Sequence, residues 1–492
     1  MERYVNYLTV LPETILSVVA FAIMLVDAST GGKRRRLYAW LSLVGYVSAA
    51  AALGYLAYLV QQKSPMAPLA TFSGMLTTDG FRIGFSAIAI VVSSLTALVS
   101  VHWLEEDDLP AGEFYTLLMF ATVGMLFMAS AGDLVMIFLG LEILSIATYV
   151  MAGYRRRDLR SNEAGIKYYI LGSFATAFLL YGMALTYGAT KTTNLEGIRA
   201  AISGGKVDLT WLLLIGAGMM LVGLCFKIAA APFHVWTPDV YEGAPSVVTG
   251  WMSTGPKAAA FSAFLRLYAV IFVIGGKILH LNVATVTVLS IIAVTTMIIG
   301  NTVAMVQDNI KRMLAYSSIA HAGYALLGLI AGDWQAVAFY LLSYALMNIG
   351  AFAVVATIAR RYDRDATLED YRGVGFTSLG LSVTFAIFMF SLAGFPMTAG
   401  FMAKFLVFKS AWLKGYQMLV IFGVLNSAAS VYYYLRPVVL MFFSPAAAAT
   451  ADRRLPRIAA TTTVALALTV IGVFYLGLLP DSVIHFFALG VK

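Results

Sequence analysis

The sequence predicts an all-α, polytopic membrane protein of about 14 transmembrane helices. Three observations carry that expectation. Hydrophobic residues make up 60% of the 492-residue chain and charged residues only 12%, against about 25% charged in a water-soluble protein. Apolar runs long enough to cross a bilayer recur from one end to the other. Lys and Arg cluster in alternate connections between those runs. The net charge of +8 is then a property of loops at a membrane surface rather than of a nucleic-acid-binding face.

A crossing helix needs about 20 apolar residues. Taken in order, the expected spans are 8–27, 38–60, 83–103, 114–131, 134–153, 166–188, 210–231, 246–272, 284–306, 313–331, 335–358, 376–410, 415–443 and 459–480. The first is expected to be a crossing rather than a removed signal peptide, because no small-residue cleavage site follows it. The polar connectors are too short to fold separately, so residues 1–492 form one membrane domain. Its expected parts are N-terminal helices (1–113), two helical units (114–272 and 284–443) and a C-terminal helix within 444–492. Basic runs follow the first span (Lys33–Arg36), the fifth (Arg155–Arg160), the ninth (Lys311, Arg312), the eleventh (Arg360–Arg372) and the thirteenth (Asp452–Arg457). All follow odd-numbered spans, so all are expected on the cytoplasmic face, with both termini periplasmic. The acidic run Glu105–Asp108 after the third span does not alter this, since acidic residues count little in that rule.

Of the charged residues inside expected spans, four stand out: Glu142, Lys227, Lys257 and Lys404. A charge at membrane depth costs several kcal/mol and marks a functional site by default. Glu142 and Lys257 are too deep to reach the headgroups, whereas Arg266, Lys409 and Arg436, nearer span ends, are expected to snorkel. Burial moves a lysine and a carboxylate each toward neutral pKa, and a nearby opposite charge reverses the push. A lysine whose partner comes and goes therefore takes up and releases a proton. A fixed Glu142–Lys227 ion pair that only sets helix packing is the structural alternative. His234 and His321 lie near these charges and titrate in the useful range. The 5 histidines are scattered without ligand spacing and there is 1 Cys, Cys225, so no metal site, disulfide or iron–sulfur cluster is expected from this chain.

Two spans carry helix breakers beside a lysine. Pro232 follows Lys227 in the seventh, and Gly394, Pro396 and Gly400 precede Lys404 in the twelfth. Proline removes a backbone hydrogen bond and clashes with the preceding turn. A break at membrane depth survives only inside protein or beside a water-filled cavity. Lys precedes the breaker in one span and follows it in the other. This pattern suggests two inverted five-helix repeats with broken helices 7 and 12.

The stretches FKIAAAPFHVWTPDVYEGAPSVVTGWMSTGPKAAAFSAFLR (226–266), GLEILSIATYVMAGYRR (140–156), QDNIKRMLAYSSIAHAGYALLG (307–328) and LAGFPMTAGFMAKF (392–405) resemble the antiporter-like membrane subunits of bacterial NADH–quinone oxidoreductase, respiratory complex I. The likeness covers nearly the whole chain. The forms PDVYEGAP and LPE (Leu11–Glu13), and the lack of a long lateral helix after the last span, resemble the subunit N branch. The resemblance implies a proton-translocating subunit in the bacterial cytoplasmic membrane. Its partners would be an adjacent antiporter-like subunit and small membrane subunits. NADH, FMN, iron–sulfur clusters and quinone would be used by partner subunits, with no cofactor here. It also implies roles: Glu142 beside Lys227, Lys257 as the linking lysine, and Lys404 toward the periplasmic exit. Two other readings stand: a subunit of a multi-subunit cation/proton antiporter, and a non-pumping scaffold of a membrane redox complex. Whether Asp239 and Glu242 handle protons or grip a neighbour is open, with gripping expected.

Overall fold

The computed structural model describes residues 6–63, 70–205, 207, 209–272, 279–359, 363, 366–445 and 458–487. The basic run 452–457, together with Arg360 and Arg361, lies outside these residues. A short 3-10 turn leads into α1 (Leu11–Thr30), followed by α2 (Arg35–Gln61) and a small hairpin of β1 (Ala70–Thr71) and β2 (Leu76–Thr77), with Ala70 opposite Thr77. Then come α3 (Gly80–Glu106), α4 (Ala111–Ser130), α5 (Leu134–Ala152), α6 (Leu159–Thr190), the short α7 (Leu195–Ser203) and α8 (Thr210–Ile228). Three short helices follow: α9 (Trp236–Gly243), α10 (Ser246–Met252) and α11 (Gly255–Leu267). The long α12 (Leu279–Met305), α13 (Ile310–Ile330) and α14 (Trp334–Ala359) come next, then α15 (Val374–Thr377), α16 (Leu379–Ala393), α17 (Ala399–Leu413), α18 (Gln417–Phe443), α19 (Ala460–Leu478) and α20 (Pro480–Phe487).

Among the described residues, 12 helices are long and apolar enough to cross a membrane. The other two expected spans, 246–272 and 376–410, are each divided, into α10 with α11 and α16 with α17. The first of these divisions was not foreseen. Pro256 is disfavoured in a helix interior but at home in a first turn, and α11 restarts at Gly255 with the proline in its first turn. The amphipathic α7 and the hairpin were also unforeseen, being too short to show a period in the sequence. Elsewhere the starts are set by side-chain caps. Asp79, Asp133, Asp158, Asn194 and Asn309 each accept a backbone N–H of the first turn that follows, which satisfies donors that the helix itself cannot.

The break after α8 begins earlier than Pro232. Ala229 turns left-handed (φ 61°), its N–H bonds Phe226 O at 3.1 Å, and the N–H of Ala230 bonds Cys225 O at 2.9 Å. Gly394 does the same after α16: φ is 96°, its N–H bonds Ser391 O at 3.0 Å, and Phe395 N–H bonds Phe390 O at 3.1 Å. Both are Schellman turns. The two broken spans thus end their first halves in the same kind of turn.

Lipid gives helices little hydrophobic reason to associate, so close backbone approach matters. A Cβ on Gly182 of α6 would lie 2.6 Å from the Gly216 carbonyl oxygen of α8, and Gly124 of α4 faces Gly140 of α5 at the same 2.6 Å. α13 and α14 are the most buried of the candidate crossings, and α1, α18 and α19 the least.

Loops expected on one face do meet. Arg35 pairs with Asp108, and Arg36 with Glu105 at 2.8 Å, joining the loops after α1 and α3. Arg155 pairs with Asp107 at 2.7 Å and with Asp363 at 2.9 Å, and Lys311 pairs with Asp363 at 3.0 Å. The connections after α3, α5, α12 and α14 therefore share a single buried charge cluster. Asp363 also accepts the backbone N–H of Ser246 at 3.0 Å, and Lys311 donates to Ala244 O at 2.6 Å. The cluster so fixes the turn between α9 and α10.

Candidate functional site

The three lysines all stand at helix breaks, but in different electrical settings. A helix is partially positive at its start and partially negative at its end. Lys227 occupies the last turn of α8, a favourable place for a cation. Lys257 lies in the first turn of α11, an unfavourable one, and reaches away to α13, donating to Ser318 O and Oγ, both at 2.6 Å. Lys404 reaches back from α17 to the end of α16, donating to Leu392 O at 3.0 Å and Ala393 O at 2.9 Å, and to Ser427 Oγ at 2.9 Å. It satisfies carbonyls that the broken helix leaves open. Lys404 also lines a cleft of about 600 Å³ between α17 and α18, walled by Phe401, Phe405 and Trp412.

Lys227 differs from the other two. Among the described residues no hydrogen bond or ion pair holds its ammonium. Nζ instead stands 5.1 Å from the ring centre of Tyr149 on α5 and 5.3 Å from that of Tyr168 on α6. Glu142, two turns before Tyr149 on α5, is half-buried, makes no ion pair with Lys227, and keeps a buried Oε1 without a partner. Glu142 on α5 and Lys227 on α8 thus form no contact ion pair.

His321, on α13, is buried between two tyrosine hydroxyls: Tyr340 OH on α14 is 2.6 Å from Nδ1, and Tyr434 OH on α18 is 3.1 Å from Nε2. Tyr434 OH also bonds Ser317 Oγ. Further polar groups flank Lys257: its Nζ is 5.8 Å from the Tyr344 ring, and Asn348 donates to Ser253 Oγ at 2.5 Å and to Tyr344 OH at 2.9 Å. Lys404 Nζ lies 5.2 Å from the Tyr324 ring. Lys257, His321 and Lys404 therefore border one polar interior built by α11, α13, α14, α17 and α18. His234 is separate: it lies in the turn between α8 and α9, half-exposed, with a buried Nδ1 that has no partner among the described residues.

Asp239 and Glu242 grip this chain's own helices. Asp239 binds Lys167 of α6 at 2.9 Å and Arg312 of α13 at 2.8 Å, and Glu242 binds Arg312 at 2.9 Å. Arg266 does not snorkel. It is largely buried, forks onto Asp79 at 3.0 and 3.1 Å and donates to Ala129 O, a carboxylate and a helix-end carbonyl within its reach. Arg436 pairs with Asp308 at 2.6 Å.

Sequence reasoning passed over Tyr149, Tyr168, Ser318, Tyr340, Tyr434 and Asn348. Two signals could have found some of them. Ser317 and Ser318 precede His321 by four and three residues, and Tyr344 precedes Asn348 by four, which puts polar groups on one face of an otherwise apolar helix.

The NADH:quinone oxidoreductase/Mrp antiporter transmembrane family matches residues 131–430, which hold all six candidate residues. The NADH-quinone oxidoreductase subunit N of Trichlorobacter lovleyi is 45% identical, over 99% of this chain and 97% of its own. A chain of respiratory complex I from Thermus thermophilus is 34% identical with TM-score 0.79, over 98% of this chain and 100% of its own. A chain of the Mrp complex from Dietzia sp. has TM-score 0.82 at 21% identity, over 97% of this chain and 96% of its own, a likeness of fold alone.

Proposed function

The chain belongs to the NADH:quinone oxidoreductase/Mrp antiporter transmembrane family as a multi-pass membrane subunit of the complex I type, and from that premise we propose that it moves protons across the membrane in step with electron transfer on partner subunits. NADH oxidation, the redox cofactors and quinone reduction belong to those partners. The observation that carries this reading is the placement of three lysines at helix breaks inside the membrane domain, with His321 and its tyrosines in the same interior as the last two.

A proton enters from the cytoplasmic face, where the basic loops gather, through the turn that holds His234. Lys227 takes it up beside the open end of α8. Glu142, on α5, stabilises the ammonium when it approaches and weakens it when it withdraws. The proton then crosses by way of Lys257 to the His321 region and on to Lys404, whose cleft between α17 and α18 serves as the periplasmic outlet. The helix ends give the path a profile. Lys227 and Lys404 sit where backbone dipoles favour a cation and Lys257 where they do not, so Lys257 is the barrier between two resting stations. Both chain termini lie on the periplasmic side in this orientation.

The 45% relative favours this reading over a free-standing cation/proton antiporter. A scaffold role makes a different prediction, that the buried charges can be replaced by apolar residues at no loss. The test is NADH-driven proton uptake by membrane vesicles carrying Glu142→Ala or Lys227→Ala. Pumping should fall while the assembled complex stays at parental abundance. Normal pumping with normal assembly in both variants would sink the relay.

A further inference from the structure

We propose that Tyr149 and Tyr168 form an aromatic clamp that positions Lys227 by holding its ammonium on their ring electrons, the carboxylate of Glu142 standing off. The inference rests on the proton-carrying reading of Lys227 and adds what holds the cation between transfers.

An aromatic ring is negative on its face and attracts a cation within about 6 Å of its centre, most strongly where water is excluded. Lys227 Nζ meets two rings inside that range, at 5.1 and 5.3 Å, and all three residues are buried. Lys257 and Lys404 also have a tyrosine ring nearby, yet each is bound by oxygen acceptors as well. Among the three lysines, Lys227 alone depends on rings.

The clamp is built, and the helix break builds it. Tyr149 meets Tyr168 edge to face, centres 4.8 Å apart at 83°. Trp236, beyond the break on α9, stacks on Tyr168 at 4.4 Å and 7°. Its indole N–H donates to Phe226 O at 3.1 Å, the carbonyl of the residue before Lys227. The chain thus leaves the end of α8, turns and returns a tryptophan that locks Tyr168 against the lysine. Tyr149 is fixed from its other end: a Cβ on Gly172 of α6 would fall 2.1 Å from its hydroxyl, so only glycine leaves it room.

Such a holder suits a proton carrier. Ring attraction acts on the ammonium and hardly on the neutral amine, so the clamp distinguishes the two states of Lys227. When the proton leaves, no contact ion pair has to be broken. Glu142 can then tune Lys227 through space.

The experiment measures NADH-driven pumping by the assembled complex in vesicles, with assembly read as the amount of this chain in the purified complex. Tyr149→Leu and Tyr168→Leu should each lower pumping about tenfold, and Tyr149→Phe and Tyr168→Phe should recover most of that loss. Phenylalanine carrying one, two or three fluorines at position 168 keeps the shape and drains the ring face, so pumping should fall stepwise with fluorine number. That series stays decisive if the leucine variants fail to assemble. Parental pumping in the leucine variants, phenylalanine variants as poor as leucine, or a flat fluorine series would each overturn the clamp. Parental pumping by Lys227→Ala would instead overturn the proton-carrying reading on which it rests.

Discussion

At the scale of single residues, Asp363 shows how much one loop carboxylate can hold. It is buried, accepts hydrogen bonds from Arg155, Lys311 and the Ser246 backbone, and joins four connections. Burial alone would raise its pKa, but the Lys311 ammonium and the Arg155 guanidinium outweigh that and hold the carboxyl far below the usual carboxylate range. Asp363→Asn leaves Lys311 buried without a counter-charge and should cost about 3 kcal/mol, seen as a lower unfolding temperature of the purified complex. A depressed folded pKa gives stability that is fully present above the unfolded value and lost as pH falls toward the folded one. The Asp363 contribution should therefore hold from neutral pH to about 4 and decline below it, and Asp363→Asn should flatten that decline. In the sequence, Asp363 was one letter of a basic loop that served only for orientation. Nothing local marks it as buried, since Arg155 lies 208 positions away. The intramembrane charges were legible because a charge in an apolar run is costly anywhere. Tyr149 and Tyr168 were not, because an aromatic residue in such a run looks like ordinary packing.

At the scale of elements, the two breaks were legible and their form was not. Pro232 and Pro396 announce an interruption. The chain actually leaves α8 at Ala229 and α16 at Gly394 through left-handed turns, ahead of the prolines, which disfavour continuation of a helix. Gly394 does more than turn. A Cβ there would stand 3.3 Å from both Cδ and Nζ of Lys404, and its φ of 96° is hostile to any side chain. Gly394→Ala should destabilise by about 1–2 kcal/mol and displace Lys404 from the Leu392 and Ala393 carbonyls. Pumping should then fall more than assembly does; an equal fall in both would mean that the turn matters only for folding. The division of the eighth span at Ser253–Thr254 escaped the sequence because an apolar run hides it, even though Pro256 requires a first turn.

At the scale of the whole molecule, loop charges read from the sequence as sharing one side are joined physically. Arg155, Asp107, Asp363 and Lys311 come from four connections and meet in one cluster. Alternation of basic loops was enough to group them; the contacts themselves depend on how the helices pack, which periodicity does not encode. Among the described residues, the same packing leaves several buried polar atoms without partners, including Glu142 Oε1, Thr237 Oγ1, Ser343 Oγ and Asn348 Oδ1. Unpaired polar atoms at such depth are costly unless water bonds them. A high-resolution map of the complex should show ordered water at these four atoms, and dry, apolar-filled surroundings would contradict a hydrated path.

The central claim is that protons cross through the buried lysines, and Lys257, the middle station, tests it most directly. The measurement is the number of protons moved per NADH oxidised by vesicles in which the complex carries Lys257→Met and is assembled at parental levels. A clear drop in that ratio is the predicted result. An unchanged ratio at an unchanged rate of NADH oxidation would contradict the account.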